Sequence, residues 1–428
     1  MKDRLVKTTR RVVPKRALRR VEGGYRKSRA KLLSARYGYP ARGLRVIAVT
    51  GTNGKTTTVN YINEILKEAG HVTAMFSTAL IEVAGRSQIN DLNATVASTQ
   101  RMQQFFRDAK RAKVDFVVLE ITSHALDQHK LDGVPIEAAV MTNLTQDHLD
   151  YHGTMEKYAA SKARLFANEP KFIVLNRDDE WFSYFNQFFA GAQKITYGEH
   201  EEAEARIDHI KLYKKGSEAR VVIDHQTTCE LATALPGTYN VHNMTAAVAL
   251  AYLLGIKLSD IQEGVANLEG VPGRFERVIE KSPYDVVVDY AHTPDALEKL
   301  LVSTKELTEN RVILVFGATG DRDKAKRPIM GEVAARLADR IILTDDESYN
   351  EDPAEIREQV RKGIDDSVSA KLIEIGDRRE AIKKALSIAK AGDTVLITGM
   401  GHEQFRIVKG KKLPWNDAKV VRELVDKS

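Results

Sequence analysis

At 428 residues the chain is too long for one ordinary core, and two or three domains are expected. Hydrophobic residues at 43% and charged residues at 29% lie near the globular average, and no apolar run approaches the ~18 residues that cross a bilayer, which excludes a disordered or membrane-spanning chain. The single cysteine, Cys229, excludes an internal disulfide, and with no charged-then-apolar leader the expected compartment is the cytoplasm.

The net charge of +6 is unevenly spread: residues 1–45 hold 16 Lys/Arg against Asp3 and Glu22, so a segment of +14 precedes a body of −8. Within it Val12, Leu18, Val21, Tyr25 and Leu32 alternate with cations at roughly helical spacing, so residues 1–44 are expected to form a basic helical arm, broken at Gly23-Gly24. Three roles fit such an arm: packing on the body, lying peripherally on the anionic inner face of a membrane, or touching nucleic acid. The last is not expected, because no nucleic-acid-binding motif accompanies the charge.

From residue 45 onward short β-branched runs alternate with helical spacing. The runs are Val46–Val49, Phe116–Leu119, Ala138–Met141 and Phe172–Leu175, then Val286–Val288, Val312–Phe316, Ile341–Leu343 and Val395–Ile397. This rhythm predicts α/β architecture with parallel sheets covered by helices. Between Lys194 and Leu235 the strings "RIDHIKLY" and "ARVVIDH" alternate instead, as antiparallel strands beside the main sheet would. The turn "LEGVPGRFE" then marks the expected boundary between a P-loop parallel-sheet domain, 45–272, and a second, Rossmann-like α/β domain, 273–428.

The first run feeds Gly51-Thr52-Asn53-Gly54-Lys55-Thr56-Thr57. Glycines there let backbone N–H groups face phosphate oxygens, Lys55 adds a cation, and Thr56 offers a hydroxyl to Mg²⁺. The string departs from strict Walker spacing, since Val49 stands where the first glycine would be. "VVLEITSHALDQHKL" places Glu120 and His124 just past the next strand end. "VMTNLTQDHLDYHGTMEKYAASKARLF" places Asn143, Asp147, His148 and Lys162 past the one after. Strand ends are where α/β sheets hold ligands. Taken singly these are also ordinary caps, surface histidines or solvated lysines.

The strings "GTNGKTT", "TNLTQDHLDYHG", "LPGTYNVHN", "GRFE", "VVDYAHTPDALEKLL", "FGATGDRDKAKRPIMG" and "GMGHEQF" occur in the order found in the Mur ligases. From about Val46 to the C-terminus the chain resembles that family, most closely its UDP-N-acetylmuramoyl-tripeptide synthetases. The resemblance implies an ATP-dependent ligase that adds an amino acid to a muramyl-peptide precursor of peptidoglycan. In it ATP phosphorylates a carboxylate and an amine attacks the acyl phosphate.

The resemblance also implies roles. Lys55 and the loop would hold ATP phosphates. Thr56, Glu120, His148 and a carbamylated Lys162 would place Mg²⁺. Asn143, Asn240, Asn243, Arg274, Asp289, His292, Asp321, Arg322 and Lys326 would serve the nucleotide. Thr95, Thr122, Ser123, Gln128 and Lys130 would meet the muramyl-peptide donor. Asp346, Glu347, Tyr349, Gly399 and Glu403 would meet the amino-acid acceptor.

Departures from the family pattern sharpen these expectations. A UDP-binding domain usually precedes the P-loop, whereas here only the basic arm does, so a UDP-linked and a lipid-linked or nucleotide-free donor both stand. The acceptor motif Asp-Asn-Pro-Arg of diaminopimelate-adding members reads Asp346-Glu347-Ser348-Tyr349. Without the arginine a second acceptor carboxylate loses its bidentate partner, and Glu347 would favour a cationic side chain. "GKGHE" reads "GMGHE", Lys130 replaces an arginine, and "NATVAS" keeps only Thr95 of a Thr-Thr-Pro motif. Two other readings are carried: a folylpolyglutamate- or polyglutamate-type ligase, and a P-loop ATPase switch without ligase activity.

Overall fold

The computed structural model describes residues 15–91, 96–279, 282–365 and 371–426. Thr95 and the first 14 residues of the basic arm lie outside the described residues.

Eleven strands form one sheet: β1 (Arg45–Thr50), β2 (Thr73–Phe76), β3 (Leu80–Val83), β4 (Arg86–Ile89), β5 (Phe116–Glu120), β6 (Ile136–Met141), β7 (Phe172–Asn176), β8 (Gln193–Gly198), β9 (Ala205–Tyr213), β10 (Gly216–Ile223) and β11 (Thr227–Thr233). Their order is β11-β10-β9-β8-β7-β6-β1-β5-β2-β3-β4. The run from β8 to β2 is parallel, with antiparallel strands at both ends. Alternation along β1 shows how both faces are covered. Ile47 and Val49 pack with Val59, Ile62 and Val241 from the helices Lys55–Glu68 and Thr238–Leu253. Val46 and Ala48 pack on the other side with Met102 and Phe106 from the helix Thr99–Arg111.

The second sheet holds β12 (Glu276–Arg277), β13 (Asp285–Asp289), β14 (Val312–Phe316), β15 (Arg340–Leu343), β16 (Leu372–Glu374) and β17 (Thr394–Thr398), in the order β12-β13-β17-β14-β15-β16. All are parallel to their neighbours except the edge strand β12. The same alternation recurs: Val287 joins the core under the helices Pro294–Leu307 and Lys326–Leu337, while Val286 and Val288 face the helices Arg378–Ile388 and Asp417–Val425. A hairpin of β18 (Phe405–Val408) and β19 (Lys411–Pro414) stands apart.

The strands expected between Lys194 and Leu235 are antiparallel, β9 with β10 and β10 with β11, and they join the edge of the main sheet, because β8 pairs parallel with β7 from Phe172/Gln193 to Asn176/Tyr197 and β9 continues from its end. One expectation is corrected. The arm helix does not break at Gly23-Gly24 but runs from Lys15 to Arg36. Each glycine costs about 1 kcal/mol relative to alanine. Burial of Ala30 and Ser34 and packing against the helix Thr99–Arg111 offset that cost.

Candidate functional site

The site begins where β1 turns into the helix Lys55–Glu68. Gly54 caps that helix at φ 84°, a left-handed value that favours glycine, and a Cβ there would overlap Asn243 Oδ1. The loop is tied to the end of β6: Thr52 N–H donates to the Asn143 carbonyl at 2.8 Å and Asn53 N–H to Asn143 Oδ1 at 2.9 Å. The first N–H groups of the helix lack intrahelical acceptors, so the turn is a ready anion cradle. Lys55 Nζ donates to the Thr52 carbonyl at 2.8 Å, and burial holds its pKa below the usual lysine value.

Beneath the loop, Thr56 Oγ1 donates to Glu120 Oε2 at 2.9 Å, and Thr78 N–H donates to the same oxygen at 2.7 Å. Arg274, from the second domain, donates through Nη2 to Thr56 Oγ1 at 2.9 Å. Lys162 is only 1% exposed, its Nζ donating to the Gly51 carbonyl at 2.6 Å and lying 4.6 Å from the centre of the Tyr158 ring. Burial, with Lys55 nearby, lowers its pKa far below the ordinary lysine value. The solvated-lysine reading therefore fails.

Across the cleft, Lys326 Nζ lies 3.3 Å from Asp147 Oδ1, both side chains buried. Burial works against the Asp147 carboxylate, but Lys326, His148 and His292 outweigh it and hold the group well below the carboxylate range. Desolvation pushes His148 down to about 3 and His292 to about 4, so both rings are neutral near pH 7. Further domain-to-domain bonds run from Asn53 Nδ2 to Asp295 Oδ2 at 2.7 Å and from Gln146 Nε2 to Asp323 Oδ2 at 3.3 Å.

Past the ends of β15 and β17 three carboxylates gather. Asp346, Glu347 and Glu403 are all buried. Glu347 accepts from Ile407 N–H at 3.0 Å and from the Tyr349 hydroxyl at 3.1 Å. Burial, then the charges of Glu347 and Asp346, push Glu403 up to about 8. Gly399 leaves room for Asp346, since a Cβ there would overlap Asp346 Oδ2. Loop, cross-cleft groups and carboxylates line one cavity of about 1540 Å³ between the two sheets.

Two family models match the chain: the Mur ligase middle domain over residues 49–251, and the Mur ligase, glutamate ligase domain over residues 273–401. This chain belongs to the Mur ligase family. It is accordingly an ATP-dependent amide ligase. A Geobacillus kaustophilus protein named UDP-N-acetylmuramoyl-L-alanyl-D-glutamate--2,6-diaminopimelate ligase is 40% identical over 408 residues, covering 94% of this chain and 82% of the relative. A solved structure of a ligase with the same name matches with a TM-score of 0.62 at 37% identity, over 90% of this chain and 78% of that one. Mycobacterium tuberculosis folylpolyglutamate synthase complexed with ADP shares the fold, with a TM-score of 0.69 at 18% identity over 87% of this chain and 91% of that one.

In this Mur ligase the cavity gathers Thr52–Thr57, Glu120, Thr122, Lys130, Asn143, His148, Asn240, Asn243, Arg274, Asp289, His292, Arg322, Lys326, Asp346, Glu347, Tyr349, Gly399 and Glu403. Other expected residues stand back from it. Gly51 and Lys162 meet behind the loop, and Ser123 Oγ pairs with His152 Nε2 at 2.9 Å. Gln128 caps a short helix, and Asp321 accepts from Asn350 Nδ2 at 2.6 Å on the exposed side. Asp289 lines the cavity, yet its oxygens accept from Phe275 N–H and Ala291 N–H, both at 2.7 Å, so it shapes the turn. Sequence reasoning missed Thr78, Asp179, Trp181 and Asp295, which also line the cavity. "NRDDEW" after β7 and the acid opening the helix after "AHTP" were usable strand-end signals; Thr78 offered none.

Members of the family work on ATP, typically with Mg²⁺. Among the described residues no three His, Cys, Asp or Glu side chains converge on a metal position. Thr56 and Glu120 supply adjoining hard oxygen donors, which fits an ion that takes one or two carboxylates and completes its shell with water and phosphate oxygens.

Proposed function

We propose that this Mur ligase joins an amino acid to the free carboxylate of a muramyl-peptide precursor of peptidoglycan, by way of an acyl phosphate. The observation that carries the reading is one cavity joining the phosphate loop of the first domain to Arg274, Lys326 and the carboxylate cluster of the second. The relatives' printed names supply the substrate class.

Two anions, a triphosphate and a carboxylate, must approach in line, and fixed positive groups offset their repulsion. Loop amides and Lys55 hold the phosphates, with Arg274 and Lys326 closing from the other side. Thr56, Glu120 and His148, with Lys162 as its carbamate, would hold Mg²⁺, which when bound supplies charge neutralisation on the phosphates. The buried, depressed Lys162 favours this, because a neutral amine has the lone pair that attacks CO₂, giving an N-carboxylate and a released proton. Asn143, Asn240, Asn243, His292 and Arg322 flank the nucleotide. Asp289 and Asp321 act by shaping their turns. Thr122 and Lys130, which line the cavity, face the donor. The donor carboxylate takes the terminal phosphoryl group, ADP leaves, the acceptor amine attacks the acyl carbon, and phosphate departs with the amine's proton lost to solvent.

Among the described residues no helix is long and apolar enough to cross a membrane. We place the enzyme in the cytoplasm, with its basic helix resting on the inner membrane surface. The deciding experiment mixes the full chain with ATP, Mg²⁺ and a panel of UDP-linked and lipid-linked muramyl dipeptides and amino acids. ADP release requiring both donor and acceptor, with a product heavier by one aminoacyl residue, is expected. ADP release with neither substrate supports a switch instead, and glutamate addition to a folate supports the folylpolyglutamate reading.

A further inference from the structure

Two side chains of the second domain, Arg274 and His402, bear on one pair of groups in the first. Thr56 Oγ1 donates to Glu120 Oε2 at 2.9 Å and accepts from Arg274 Nη2 at 2.9 Å. Glu120 Oε2 also accepts from Thr78 N–H at 2.7 Å, in the turn between β2 and β3. Ser77 N–H closes that turn on the Leu80 carbonyl at 2.9 Å. The turn is held from across the domain boundary as well, because the His402 ring is hydrogen-bonded to the Thr78 main chain.

His402 is buried in the loop that follows β17. The loop comes this close because Gly273, next to Arg274, has no side chain: a Cβ there would overlap the His402 backbone nitrogen. On the other side the His402 ring lies 5.3 Å from that of Tyr290. Its Nδ1 is buried without a partner, so the bond to Thr78 runs through Nε2. Burial pushes the ring's pKa down to about 3, and a neutral imidazole protonated at Nε2 donates to the Thr78 carbonyl. An unpaired buried nitrogen costs stability, and a leucine of similar size would avoid it. The imidazole is therefore explained by the bond that its other nitrogen makes.

We propose that His402 is a positioning residue for phosphoryl transfer: closing on the first domain, it fixes the Thr78 turn, whose N–H in turn keeps the Glu120 carboxylate beside Thr56 Oγ1. The inference rests on the ligase reading above and goes beyond it by naming how the second domain completes a phosphate site built on the first. Arg274 holds Thr56 from one side and His402 holds Glu120 from the other. Both oxygen donors are then fully set only with the two domains together, which ties hydrolysable ATP to a closed cleft.

The test compares His402→Leu, His402→Asn and His402→Gln with the unmodified full chain. Glutamine returns an N–H donor near the Nε2 position, asparagine carries its amide nearer Nδ1 and short of Thr78, and leucine has no donor. Two quantities are read. One is kcat for ADP release with a muramyl-dipeptide donor and whichever of lysine and meso-diaminopimelate the unmodified enzyme uses. The other is the gain in ATP affinity on adding Mg²⁺, by titration calorimetry. Losing this one bond through leucine or asparagine should lower kcat roughly tenfold and shrink the Mg²⁺ gain severalfold. ATP affinity without Mg²⁺ should hold, because the loop Thr52–Thr57 is untouched, and glutamine should restore most of both losses. If the leucine variant does not fold, asparagine against glutamine still decides. Leucine or asparagine as active as histidine, glutamine no better than leucine, or an unchanged Mg²⁺ gain beside a lowered kcat overturns the positioning role and leaves the ligase reading standing. No turnover by the unmodified enzyme with either acceptor overturns that reading, and this inference with it.

Discussion

A lysine that is 1% exposed, with its amine against a carbonyl and a tyrosine ring, has lost most of what favours its charged form. Lys162→Ala is therefore expected to remove turnover by a factor on the order of 10²–10³, the scale of losing one preorganised electrostatic group. Formate or acetate should restore part of it by supplying a carboxylate in the vacated space. ADP release with and without the added acid is the measurement, and full activity without rescue would sink the carbamate. His402 gives a second residue-scale expectation. Burial pushes it down to about 3 in the folded chain, against about 6.5 when unfolded. Below pH ~6.5 the unfolded chain binds a proton that the folded chain refuses, so stability falls as pH drops from there toward 3. His402→Gln should flatten the decline of Tm between pH 6.5 and 4, and an unchanged slope would show that this ring is not titrating on unfolding.

The loop between β1 and its helix works because two of its positions have no side chain. Gly54→Ala would place a Cβ on Asn243 Oδ1 at a left-handed φ of 84°. The left-handed strain alone is roughly 1–2 kcal/mol, and with the overlap nucleotide affinity should fall at least about tenfold. Titration calorimetry with ATP checks this, and unchanged affinity would mean that the loop does not cradle phosphate. This element was legible in sequence because a buried strand, a glycine turn and a polar helix start leave local marks. So were the strands at Val312–Phe316 and Val395–Ile397, whose five-residue elements are buried throughout. β4 left no such mark, since its four residues are all exposed and carry no alternation. Nor did the continuity of the arm helix, where tertiary packing overrides two glycines. The carboxylate cluster was half legible. "DESY" announced the missing arginine, but the raised Glu403 depends on segments more than 50 residues apart meeting across Gly399.

At the scale of the whole molecule the question is what the charge asymmetry does. Along the described part of the arm helix, Ala30 and Ser34 turn inward, while Tyr25 is 67% and Leu32 71% exposed beside the exposed cations Lys27, Arg29 and Lys31. An outward face mixing apolar groups with cations, on a body of −8, suits an anionic lipid surface, where each cation contributes about 1 kcal/mol and the apolar groups can enter the headgroup layer. Packing on the body and resting on a membrane are thus compatible, because they use opposite faces of one helix. The attraction should fade as added salt shortens the Debye length from ~10 Å at 0.1 M to ~3 Å at 1 M. The full chain should therefore pellet with vesicles rich in anionic lipid at low salt, and largely stay in the supernatant at 1 M salt or with neutral vesicles. Reversing Lys27, Arg29 and Lys31 to glutamate removes at least about 3 kcal/mol of attraction, roughly a hundredfold or more in affinity. The triple variant should keep its affinity for ATP, because Lys55 and the loop lie on another element. Equal pelleting with neutral vesicles, or no loss in the variant, would leave the helix as a brace on the body whose charge only solvates it.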